Sequence, residues 1–177
     1  MTELASTAVL NDLFDTFQHT AWRLEVRRAY EADQRTDLYK RFLRGEGVEE
    51  DTSGPWYTSR RQMAAEGKRV ERVRLVDAPL TENQRFLLAR APHIIGVGED
   101  VRYLRRADAE KLGLPMEDVW LFDSRLAARL HFDGDRTAGV ELIEEPAEVL
   151  AYCQARDAAW HFAVPYAGFR ARVPSPE

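Results

Sequence analysis

Cysteine is nearly absent from this chain: a lone Cys153 has no partner for an internal disulfide. No apolar run approaches the roughly twenty residues needed to span a bilayer. The first residues, MTELASTAVLNDLF, lack the basic start and apolar stretch of a secretory signal. A cytoplasmic protein without a membrane role is therefore expected. Lysine is scarce as well, since nearly all of the 25 basic residues are arginines. The net charge is −5 and the pI about 5.5, which argues against a surface devoted to nucleic acid, because phosphate backbones need clustered positive charge. Repeats with a period of 20–50 residues are missing too, so solenoids and propellers are excluded.

The 177 residues, 45% of them hydrophobic, suffice for one well-formed core. A single domain over residues 1–168 is expected, with a loose tail over 169–177 that carries Pro174 and Pro176.

The clearest pattern lies in residues 118–166. Val119 and Leu121, then Leu126, Ala128, Leu130 and Phe132, recur every second residue. Asp133-Gly134-Asp135 supplies a hairpin loop, residues 138–143 a return strand, and Glu145-Pro146 the start of a long helix. Upstream, Leu10, Leu13, Phe14, Phe17 and Ala21 predict a helix over about residues 8–20. A half-buried strand over 22–26 follows, with Trp22, Leu24 and Val26 alternating with Arg23, Glu25 and Arg27.

The spacing next predicts a short helix at 37–44, a glycine-rich mobile loop at 45–55 and a third helix ended by Gly67. In the strand after it, Val73 and Leu75 face one way, Arg72 and Arg74 the other. Thr81 and Gln84 match a capping box that opens a helix to about Ala91. Short apolar stretches follow at 93–97 and 101–104, then one or two helical turns at 107–112. Helices alternating with strands imply an α/β fold, a single mixed sheet flanked by helices.

Candidate chemistry is thin. His131, Asp133 and Asp135 could form part of a metal site, but Arg136 intrudes and a tight hairpin demands the same residues, so no metal is expected. Gly96-Val97-Gly98 is half of a phosphate-binding glycine motif, followed by repelling Glu99 and Asp100. Cys153 reads as a buried, inert thiol, and no serine sits in a nucleophile motif. The arginine clusters fit either solvated faces or a local anion-binding surface. Trp56, Tyr57, Arg60 and Arg61, beside the 45–55 loop, combine the aromatic and guanidinium groups enriched in interface hot spots. Trp56 could equally anchor its helix to the core. The strand arginines Arg72, Arg74 and Arg102 complete the candidate partner- or ligand-binding set.

The phrases GKRVERVRLVDAPL, GEDVRYLRR, DVWLFDSR, LHFDGD, GVELIEEP and AAWHFAVPY occur in this order. Over residues 14–166 the chain thereby resembles an uncharacterised actinobacterial domain family of unknown function, whose members are commonly encoded beside helix-turn-helix regulators. Residues 101–166 are also similar to one half of the phospholipase D-like fold. That fold's enzymes need a histidine, one spacer and a lysine: the histidine attacks phosphorus and the lysine holds the phosphate oxygens. Here His131 is followed by Phe132 and Asp133, and His19, His93 and His161 are no better placed. The resemblance thus implies a binding scaffold without phosphodiesterase chemistry.

Three functions compete. The first is a non-enzymatic regulatory or interaction protein, working with a helix-turn-helix regulator or another protein partner, or as a homodimer, without cofactor and without direct contact to nucleic acid. The second is a small-molecule or nucleotide sensor with a degenerate phospholipase D-like pocket, using arginines such as Arg74, Arg102 and Arg105. The third is an enzyme centred on His131, Asp133 and Asp123.

Overall fold

The computed structural model describes residues 4–174. In chain order its elements are α1 (Val9–Thr16), β1 (Thr20–Glu25), α2 (Glu31–Gln34), α3 (Asp37–Leu43), α4 (Pro55–Ala65), β2 (Arg69–Val76), α5 (Glu82–Ile95) and β3 (Glu99–Arg105). The second half continues with α6 (Arg106–Lys111), β4 (Val119–Phe122), β5 (Leu126–Asp133), β6 (Arg136–Ile143), α7 (Pro146–Phe162), β7 (Val164–Pro165) and α8 (Tyr166–Arg170). The strands form one seven-stranded sheet in the order β6-β5-β4-β1-β2-β3-β7. β1, β2 and β3 run parallel, which requires the long helical connections between them, while β4, β5, β6 and β7 join antiparallel. The single mixed sheet flanked by helices is as the alternation of elements implied.

Each face of the sheet has its own cover. On one, Trp22, Leu24, Val73, Leu75, Val119 and Leu121 pack against Ala109 of α6 and Val149, Tyr152 and Ala159 of α7. On the other, two apolar clusters lie apart. Ala21, Val70, Trp120, Phe122 and Ala128 meet the apolar stripe of α1, and Val76, Val101 and Tyr103 meet Tyr57 of α4 with Leu88 and Ile94 of α5. Between these clusters the sheet carries charge, and there the functional candidates gather.

Several boundaries differ from the periodicity. α1 stops at Thr16 because Phe17 takes extended dihedrals, and Ala21 belongs to the strand. The capping box of Thr81 and Gln84 opens α5, but the helix runs through Pro92 to Ile95, so 93–95 is its last turn, anchored by buried Ile94. Proline lacks only one N–H, and burial of the flanking apolar residues outweighs that loss here. Nor is the chain loose after residue 168: Phe169 stacks on Tyr103 at 4.5 Å, and Val173 packs on the same cluster. Of the expected tail, 175–177 lie outside the described residues. The 45–55 loop is irregular as expected, yet it is tied down by an ion pair from Glu50 to Arg90.

The turn joining β4 to β5 also closes the entrance to β1. Asp123 and Ser124 both have positive φ, 52° and 55°. In this conformation the Asp123 carboxylate accepts the backbone N–H groups of Gln18, His19 and Thr20 at 2.8, 2.7 and 3.0 Å. These donors lie where the chain leaves α1 and have to be satisfied as it enters the sheet. Replacing Asp123 by alanine should destabilise the fold by about 1–3 kcal/mol, since the donors lose a charged acceptor. Urea denaturation checks this; an unchanged midpoint would show that the clamp is dispensable.

Candidate functional site

Period-two alternation places Arg23 and Glu25 of β1 on the same face as Arg72 and Arg74 of β2 and Glu99 of β3. Register sets Arg23 beside Arg72 and Glu25 beside Arg74. This face looks inward, beneath α4 and α5, so the charged rows are enclosed rather than solvated: Arg23, Glu25, Arg74 and Glu99 are all buried. Enclosed charges of this kind persist only when paired.

The pairing is nearly complete. Glu25 accepts from Arg72 Nη1 and Arg74 Nε, both at 2.7 Å. Glu99 accepts from Arg72 Nε at 2.5 Å and Arg60 Nε at 3.0 Å. Asp118 takes Arg23 Nη2 at 2.5 Å, the Tyr30 hydroxyl at 2.8 Å and the Val26 N–H at 3.0 Å. Arg90 of α5 is held by Glu50 at 2.7 Å. Burial alone would raise the Glu25 carboxyl, but Arg74, Arg72 and Arg23 outweigh it and bring it from the usual 4.5 down to about 2. Burial would likewise lower Arg72 and Arg74, and the carboxylates beside them, Glu99 and Glu25 for Arg72 and Glu25 for Arg74, instead raise both. Burial pushes the Asp118 carboxyl up, against the pull of Arg23 and its other donors.

Among the described residues Arg23 Nη1 is buried without a hydrogen-bond partner, as are Trp22 Nε1, Arg27 Nε, Arg102 Nε and the Tyr103 hydroxyl; of the residues holding them, Arg23 is the one that lines the cleft beneath α4 and α5. Arg23, only 5% exposed, lines a cleft of about 250 Å³ together with Arg72, Arg74, Arg90 and Glu25. Trp56, Leu130 and Phe132 contribute apolar walls.

The candidate set from the sequence divides four ways. Trp56, Arg72 and Arg74 line the cleft, Trp56 being 40% exposed. Tyr57 and Arg60, 5% and 6% exposed, are interior residues and not an accessible hot spot; Arg60 is enclosed by Glu99 and the rings of Phe14 and Trp56. Arg61 is exposed. Arg102 lies on the opposite sheet face, beside Val73 in register, with its guanidinium 3.7 Å from the Trp160 ring. Arg23, Glu25, Arg90, Glu99 and Asp118 were not singled out. The available signal was an Arg-x-Glu pair in one strand and an Arg-x-Arg pair in another, whose opposite charges complement each other on one face.

The residues of the enzyme alternative do separate work. His131 pairs with Glu141 at 2.8 Å, Asp133 with Arg136 at 3.0 Å, and Asp123 with the backbone of residues 18–20. Cys153 is half-buried, its thiol 3.8 Å from the Ser124 carbonyl, where a fully buried thiol was expected. Gly98, at φ +103°, serves the turn before β3: a Cβ there would meet that of Ala64 at 2.6 Å.

Residues 8–171 match a family described as a domain of unknown function, DUF6879. The chain belongs to that family. No curated protein matches it. Among solved structures it is similar to NUC from Salmonella typhimurium, a phospholipase D family member, at 9% identity and a TM-score of 0.55, over 94% of this chain and 97% of that one. It also matches NucT from Helicobacter pylori at 10% identity and a TM-score of 0.49, over 89% and 91% of the two chains. The likeness to NUC gives the DUF6879 chain a phospholipase D-like fold over nearly its whole length, beyond the 101–166 segment that suggested it. Neither histidine nor lysine is among the residues lining the cleft.

The network generates a pH dependence of known sign. A carboxyl depressed in the folded state contributes stability that is fully present above its unfolded pKa and is lost as pH falls through the folded value. The shift of Glu25 from 4.5 to about 2 corresponds to about 3 kcal/mol. Glu25→Gln should therefore be less stable than the wild type at pH 6, and the gap should narrow as pH falls from 4.5 towards 2. Urea titrations of both proteins across this range test it; a gap independent of pH would show that the Glu25 charge does not hold the arginine rows together.

Proposed function

We propose that this protein is a regulatory binding protein that takes a small organic anion in the arginine-lined cleft, and that it does not perform phosphodiesterase chemistry. The observation that carries this reading is the buried, unpartnered Arg23 Nη1. A buried donor without an acceptor costs about 1–3 kcal/mol, a penalty that an anionic ligand would relieve. Arg72, Arg74 and Arg90 add positive charge around the same space, against Glu25 and Asp33 in the lining. A phosphoryl-transfer reaction by the route of the resembled fold would need histidine and lysine there, and the cleft has neither.

A second reading, recognition of a partner protein, draws on the exposed Trp56 at the cleft and the exposed Arg61 on the same helix. A helix-turn-helix regulator, as the family resemblance implies, would sit on this side. The two readings join in a ligand-sensing regulator that changes its partner surface when the cleft fills.

Thermal unfolding with inorganic phosphate tests the anion site. Binding to the folded state alone stabilises by mass action, so the melting temperature of the wild type should rise with phosphate concentration. Arg23→Met would strand Asp118, so the fitting comparison is Arg23→Met with Asp118→Asn, which removes donor and charge together. The double variant should fold and show no phosphate-dependent rise. An equal rise in both proteins would place any phosphate site elsewhere.

A further inference from the structure

Floor and walls of the cleft differ in chemistry. The floor is the charged face of β1 and β2, and the walls are Trp56 of α4, Leu87 and Ile94 of α5, and Leu130 and Phe132 of β5. Most guanidinium donors on the floor are committed. All three nitrogens of Arg72 go to Glu25 and Glu99, and Arg90 sets Nε and Nη2 on Glu50. Among the described residues, Arg23 Nη1 is a buried donor without an acceptor in a side chain that lines the cleft. A single donor suits one compact oxyanion, and Glu25 and Asp33 in the same lining oppose a second negative group.

The rest of the ligand meets carbon. Trp56 is 40% exposed although one helical turn from buried Arg60, whose guanidinium lies 4.9 Å from its ring centroid and 4.0 Å from that of Phe14. Arg60 is in turn fixed by Glu99, so the indole is held by a rigid support. Phe132 is likewise held, with Arg27 4.3 Å from its centroid and Tyr30 edge-on at 6.0 Å. Two pre-oriented aromatic rings beside a buried cation offer stacking surfaces at little cost in side-chain entropy. The volume of about 250 Å³ admits one ring with its substituent more readily than a dinucleotide or a peptide.

We infer that the ligand is a small aromatic monoester or acid, with its one oxyanion on Arg23 and its ring against Trp56 and Phe132. This rests on the reading of the cleft as an anion site and adds the chemical class. Phosphate and carboxylate headgroups share the chemistry that Arg23 recognises, and the choice of probes separates them.

The test is calorimetric titration of the intact chain with phenyl phosphate, benzoate, cyclohexyl phosphate and inorganic phosphate. Stacking on an aromatic side chain favours an aromatic ligand roughly tenfold or more. Phenyl phosphate should therefore bind about tenfold tighter than inorganic or cyclohexyl phosphate, and its ratio to benzoate identifies the preferred headgroup. Trp56→Ala should bring phenyl phosphate down to the level of inorganic phosphate, with circular dichroism and a cooperative thermal transition showing that the variant is folded. Trp56→Phe should keep most of the preference. Equal binding of the three phosphates by the wild type would overturn the aromatic class and leave the anion site standing. Failure of every probe to bind, or binding indifferent to Arg23→Met with Asp118→Asn, would overturn the anion site and this inference with it.

Discussion

Burying a guanidinium costs several kcal/mol unless a carboxylate meets it with good geometry, and this fold sets Arg23, Arg72 and Arg74 side by side on adjacent parallel strands. Directly opposed like charges destabilise a sheet. Glu25 and Glu99 resolve the conflict by bridging the arginines pairwise, and Arg60 from α4 completes the chain of alternating charge. α4 is thereby oriented over the sheet, and with it Trp56. The 45–55 loop is fastened in the same manner, by Glu50 on Arg90. The charged seam between two apolar clusters thus positions the helices that enclose it.

An alternating chain of this kind is stable when each donor has an acceptor, and the proposed site lies where one does not. At the β4 side of the seam, Asp118 engages only one nitrogen of Arg23 and spends its remaining capacity on Tyr30 and the Val26 N–H. The space next to Arg23 has a charged floor, with Glu25, Arg72 and Arg74, and apolar walls at Trp56, Leu130 and Phe132. Arginine stays charged and cannot act as the nucleophile that histidine provides, so the proposed role of this cleft is binding.

How much of this was legible in the sequence depended on whether local or long-range physics decided it. The meander from Val119 to Ile143, the Asp133-Gly134-Asp135 turn, Glu145-Pro146 and the Thr81–Gln84 capping box are set by neighbours within a few residues, and they appear where spacing placed them. Residues 93–97 misled as an apolar stretch separate from a helix ending near Ala91, whereas tertiary burial of Ile94 carries the helix through Pro92 to Ile95. The arginines of β1 and β2 misled more deeply. Alternation correctly showed that Arg72 and Arg74 share a face, but charge suggested solvent, and only pairing with a strand 47 to 49 residues away makes that face interior. Arg102 was grouped with them although register puts it on the other side. Tyr57 and Arg60 have hot-spot chemistry yet lie inside, where aromatic and guanidinium groups support the cleft from behind.

The central claim is that Arg23 Nη1 is held unpaired for a ligand. A crystal structure of the protein with phenyl phosphate tests it most directly. The account predicts phosphate oxygens within hydrogen-bonding distance of Arg23 Nη1, the ring against Trp56, and the Glu25 and Glu99 bridges unchanged. A structure in which Nη1 is met by a protein carbonyl or carboxylate, with the cleft free of the ligand, would contradict it.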